Sequence, residues 1–247
     1  MSEKAMPILD HLEEVRWRIL ISIAAILVVA TIALFFSNTL LKVLLIPSGG
    51  LRLKAFSLMD GFTVRFQIAL YTGVAAAFPI WDYEVYRFLA PGLLEGERRA
   101  LVPGLLASSL LFALGVVFGY VLLREMIRVM ISFFPPQVDF LPAADDYISF
   151  VIFFLAAAGI AFQLPVVITM LVAIRILSAK ILKKQRRIAY FALFVFAEIV
   201  TPVSDPIVAP LVVMIPLVIL YEVSIWVAVR IEKKRLKDTP IAGELMG

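Results

Sequence analysis

The chain has 247 residues, 62% of them apolar and 17% charged, with a net charge of +4 at neutral pH. That apolar share lies well above the roughly 45 to 50% of soluble domains and excludes a soluble globule. There is no cysteine and one histidine, His11, so disulfides, thiolate metal sites and cysteine nucleophiles are excluded and a side-chain-held zinc or iron centre is disfavoured.

Six apolar runs follow one another along the chain, which predicts an all-α polytopic membrane protein. The first run is Ile19 to Phe36 and the second Phe62 to Trp81, the latter with Arg65 and Gln67 in its opening turns. Ala100 to Leu123 and Tyr147 to Ile174 carry no charge and are long enough to cross a bilayer. The fifth, Ile188 to Val200, has only 13 residues, about 20 Å of helix against about 30 Å of hydrocarbon. The sixth, Ile207 to Val229, contains Pro210, Pro216 and Glu222 and is expected to be interrupted. Local thinning of the bilayer, or entry of polar ends, would accompany these last two runs. Glu198 and Glu222 then read as interfacial.

If all six runs cross, 17 of the 23 lysines and arginines fall on one side. These are three in the N-terminal segment, three after run two, six after run four and five in the tail. The positive-inside rule places both termini in the cytoplasm. The expected organisation is one transmembrane domain over residues 1–235 and a cytoplasmic tail at 236–247. The N-terminal run does not read as a removable signal peptide, because it follows Glu13 and Glu14 and no small-x-small cleavage pattern comes after it. The basic group from Lys180 to Arg187 reads as a topology anchor that also meets anionic lipid.

No phosphate-binding loop, dinucleotide fingerprint, zincin motif or nucleophile elbow is present, so neither nucleotide-driven chemistry nor hydrolysis is expected, and no cofactor or nucleic-acid partner is implied. What remains is a set of carboxylates and amides near the membrane. Leu12, Val15 and Ile19 recur at helical spacing, which puts Glu14 and Arg18 one turn apart. Glu14 has two readings: a solvated ion pair with Arg18, or an acceptor for an external guanidinium, whose planar fork suits a carboxylate. Glu97, beside Arg98 and Arg99, has the same two. Gln163, deep in the fourth run and two residues before Pro165, is either a helix-to-helix hydrogen bond or a hydrated functional group.

Five motifs in order carry a family resemblance. They are His-Leu-x-Glu-x-Arg-x-Arg at 11–18, Phe-x-Ala-Pro-x-Leu with Glu-Arg-Arg over 88–99, Tyr-x-Ser-Phe at 147–150, Phe-x-x-Pro at 162–165 and Thr-Pro-x-x-Asp-Pro at 201–206. Together they resemble the TatC family, the receptor core of the twin-arginine protein translocase. The resemblance implies a cupped six-helix bundle with shortened fifth and sixth helices in the plasma membrane of a prokaryote. It also implies binding of signal peptides with adjacent arginines, recruitment of TatA-type and TatB-type single-span partners, self-association, and export of folded cargo by the proton-motive force. On this resemblance Glu14 and Glu97 contact the arginine pair, with Arg16 close by. Phe88 and Pro91 match the cytoplasmic loop, Pro47 the first outside loop and Asp205 the last turn. Gln163 stands where many relatives carry glutamate. A small-solute or ion transporter is the alternative, which would need charged or broken helices about a midplane site. An insertase-like scaffold is a nearer one, and cargo with folded rather than unfolded domains separates it.

Overall fold

A computed structural model describes residues 8–89, 101–135, 137, 140–201 and 208–237. Among these residues the chain is helical, with no strand and one isolated parallel bridge, Lys54 to Ala143. Among the described residues, four stretches are long and apolar enough to cross a membrane: Glu13–Phe35, Gly104–Ser132, Ala144–Ala173 and Pro210–Lys233. Their outer faces carry large apolar side chains, as in the exposed series Leu106, Leu110, Leu114, Val117 and Val121, which repeats every three or four residues along one helix face. Such a stripe is stable against hydrocarbon and costly against water. The chain forms two compact units, residues 1–109 with 136–156 and residues 110–135 with 157–247.

The first unit is built on α1 (Ile8–Phe35), followed by α2 (Ser37–Leu45) and a 3-10 turn, Ile46–Ser48. Helix α3 (Asp60–Ala76) packs along α1, and α4 (Phe78–Leu89) packs near the start of α1. Closeness of α1 and α3 depends on Gly73: a Cβ there would lie 2.6 Å from the Ala30 Cβ and 2.9 Å from its backbone. The second apolar run, expected to be one helix from Phe62 to Trp81, is interrupted at Ala77. Pro79 has no N–H to continue the ladder and disfavours helical geometry at the residue before it. The Trp81 indole N–H meets a carbonyl beside the break, bonding Val74 O at 3.0 Å. The segment after α2 is held by Lys54 N–H to Pro142 O (3.0 Å), Ala144 N–H to Lys54 O (2.9 Å) and the Tyr147 hydroxyl to Leu44 O (2.9 Å).

Helix α5 (Leu101–Ser132) passes from the first unit into the second at Leu110, and α6 (Ala144–Ala161) does so at Ala157. Helix α5 continues to Ser132, past Leu123 where the third apolar run ends. The fourth run, expected as one helix, breaks at Phe162 and Gln163 and restarts as α7 (Leu164–Ala173) with Pro165 in its first turn, where a missing N–H costs no intrahelical bond. Short α8 (Ala179–Lys184) leads into α9 (Arg186–Val200), a helix of 15 residues. The sixth run corrects the expectation of a shortened, interrupted helix. α10 (Val208–Lys237) is one 30-residue helix with Pro216 inside it. Ile168, Val172, Leu193, Ala197, Leu217 and Ile225 form the core of this unit.

Candidate functional site

Glu14 and Arg18 lie one turn apart on α1, and Arg18 donates from Nε (3.1 Å) and Nη2 to Glu14 Oε1. The local pair foreseen from spacing therefore forms. A third group joins it: Arg18 Nη1 donates to Glu84 Oε2 on α4 at 3.0 Å. One guanidinium thus bridges a carboxylate one turn away on its own helix and another 66 residues along the chain, and the three side chains together carry one net negative charge. Their exposure is graded: the Glu84 side chain is 8% exposed, Arg18 13% and Glu14 24%. Glu14 is the most exposed of the three, and its chemistry is that of a guanidinium acceptor.

α4 is anchored on its other face as well. Asp82 is buried and accepts a hydrogen bond from Ser108, a fully buried residue of α5. Tyr86, one turn on, lies beside Gly104 of α5, where an added Cβ would come 3.4 Å from its ring. Burial raises the Asp82 carboxyl above its ordinary value, against the opposing hydrogen bond from Ser108. Burial, then the nearby Asp82 charge, pushes the Tyr86 phenol up to about 12. Between them, Asp82 and Glu84 tie α4 to α5 and α1, which fixes the carboxylate that Arg18 reaches.

The other residues singled out in the sequence fall as follows. Arg16 is exposed on α1, two residues from Glu14. Phe88 is partly buried near the end of α4, and Pro47 is buried in the 3-10 turn that follows α2. Gln163 is partly buried at the break before α7, in the second unit. Pro91, Glu97 and Asp205 lie outside the described residues. Glu222, read as interfacial, accepts from Arg186 Nη2 and the Tyr190 hydroxyl, each at 2.6 Å, and so joins α9 to α10. Among the described residues no cluster of histidine, aspartate and glutamate could hold a metal ion. Sequence reasoning missed Asp82 and Glu84. Their signal was present in Trp81-Asp82-Tyr83-Glu84-Val85-Tyr86, two acids in an otherwise apolar helix end, but a topology count of basic residues alone passes over acids.

The sequence model of the family described as Sec-independent protein translocase protein (TatC) matches residues 10–216. The chain belongs to the TatC family. A TatC from Carboxydothermus hydrogenoformans is 33% identical over 99% of each chain, and one from Deinococcus radiodurans is 32% identical over 89% of this chain and 84% of that one. The fold agrees with a crystal structure described as the twin arginine translocase receptor TatC, at 32% identity and a TM-score of 0.73, covering 88% of this chain and 97% of that one. A second crystal structure of that receptor, in DDM, gives a TM-score of 0.77. TatC is a component of a protein translocase, a membrane protein and not an enzyme.

Proposed function

We propose that this TatC-family chain is the signal-peptide receptor of a twin-arginine translocase. It crosses the plasma membrane of a prokaryote six times as one transmembrane domain, with both termini in the cytoplasm. Adjacent arginines on an extended peptide point to opposite sides, because successive side chains alternate. Two separated carboxylates are therefore needed rather than two on one helix face. Glu14 takes one arginine and Glu97 the other, with Arg16, Phe88 and Pro91 supporting the site. Each charge-assisted contact contributes about 1.5 to 3 kcal/mol. Lysine carries the same charge without the planar fork and is bound more weakly.

After capture, TatA-type and TatB-type single-span partners join, the chain self-associates, and folded cargo crosses on the proton-motive force. Pro47, Gln163 and Asp205 serve as partner contacts or supports in that step. The observation that carries this reading is that Glu14, the most exposed member of its triad, already engages a guanidinium. The test is retention of a fluorescent twin-arginine signal peptide by the full chain in lipid nanodiscs, beside its twin-lysine version. The arginine peptide should be held at least tenfold more tightly, equivalent to about 1.4 kcal/mol. Equal retention of the two would refute the reading.

A further inference from the structure

Arg18 occupies the place an incoming arginine needs. Its guanidinium takes Glu14 Oε1 through two nitrogens and Glu84 through the third, so Glu14 is not an empty acceptor. A ligand guanidinium must share or replace Arg18 on Glu14, and Arg18 must have somewhere to go. Glu84 supplies that place. It is the most buried of the three and holds Arg18 through a nitrogen that Glu14 does not use.

We propose that Arg18 is a resident stand-in for the signal-peptide arginine and that Glu84 sets the affinity of the site by holding Arg18 when Glu14 is given up to the ligand. This rests on the reading of Glu14 as a peptide-arginine acceptor. Exchange is favourable because no guanidinium loses its last carboxylate: Arg18 keeps Glu84 while the ligand gains Glu14. Without Glu84, release of Glu14 would leave a largely buried arginine with no carboxylate among the described residues, a state that costs far more than loss of an exposed pair. Glu84 acts through Arg18 and is a positioning residue rather than a peptide contact.

The two sides of the exchange respond in opposite directions. Glu84→Gln removes the refuge, Arg18 stays on Glu14, and affinity for the twin-arginine peptide should fall about tenfold. Arg18→Lys keeps the charge but cannot span both carboxylates with a planar fork. It loosens the resident contact, and affinity should rise several-fold. In the Arg18→Lys background the Glu84→Gln loss should shrink, the signature of coupling. A scaffold role for the triad would lower affinity in both single variants. The experiment is peptide binding by fluorescence anisotropy to the full chain in nanodiscs, for the parent, Glu84→Gln, Arg18→Lys, the double variant and Glu14→Gln. Opposite signs in the two singles support the exchange. An unchanged Glu84→Gln, or a loss in Arg18→Lys, overturns it while Glu14→Gln still weakens binding. If Glu14→Gln itself has no effect, the receptor reading falls and the exchange with it. Should Glu84→Gln fail to fold, the sign of the Arg18→Lys change decides alone.

Discussion

Asp82 shows how a single buried acid at the membrane edge sets a pH dependence. Burial favours its neutral form, so the folded chain holds that proton more tightly than the unfolded chain does. The resulting stability is complete below the ordinary value of 3.8 and is lost as pH rises through the higher folded value. Asp82→Asn keeps an acceptor for Ser108 and removes the charge. Its melting temperature in detergent, relative to the parent, should climb as pH rises above the ordinary value of 3.8. Parallel profiles for the two proteins would show that Asp82 does not titrate in this way. The ion pair at the other face of α4 differs in legibility. Glu14 with Arg18 could be read from a four-residue spacing, whereas Glu84 joins from 66 residues away through packing that no local pattern encodes.

At the scale of elements, one glycine sets how closely α1 and α3 approach. Gly73 lets α3 approach the Ala30 backbone, and α3 continues through the Ala77 break into α4. Gly73→Val should destabilise the chain by about 1 to 3 kcal/mol, the cost of overpacking a close helix contact. Gly61→Ala, where nothing lies within 4 Å of the added carbon, should be neutral. Thermal unfolding of both variants checks this, and equal melting temperatures would mean the contact yields without cost. Hydropathy located the apolar runs but not how they divide. Pro79 and Pro165 stand just after helix breaks, while Pro216 lies within an unbroken 30-residue helix. Each proline removes one backbone donor. Whether the helix restarts or continues depends on partners that come from elsewhere in the fold, such as the Trp81 indole at Val74 O.

For the molecule as a whole, the proposed topology assigns the first outside loop and the two termini to opposite sides of the membrane. A chain without cysteine suits single-cysteine labelling. Exposed Ser57→Cys should react with an impermeant maleimide in intact cells, and Ser2→Cys and Met246→Cys only after permeabilisation. Labelling of a terminus in intact cells would contradict the positive-inside assignment. Composition and the order of five motifs made the membrane class and family legible, because both are written in runs and spacings. Neighbours of the site were not, since Asp82 and Glu84 gain their meaning from Ser108 and Arg18. Crosslinking tests the central claim most directly, using a photoreactive residue beside the arginine pair of a signal peptide, on the parent chain and on its Glu14→Gln and Glu97→Gln variants. The receptor account predicts strong adducts with the parent and clear loss in each variant; adducts of undiminished yield in both would contradict it.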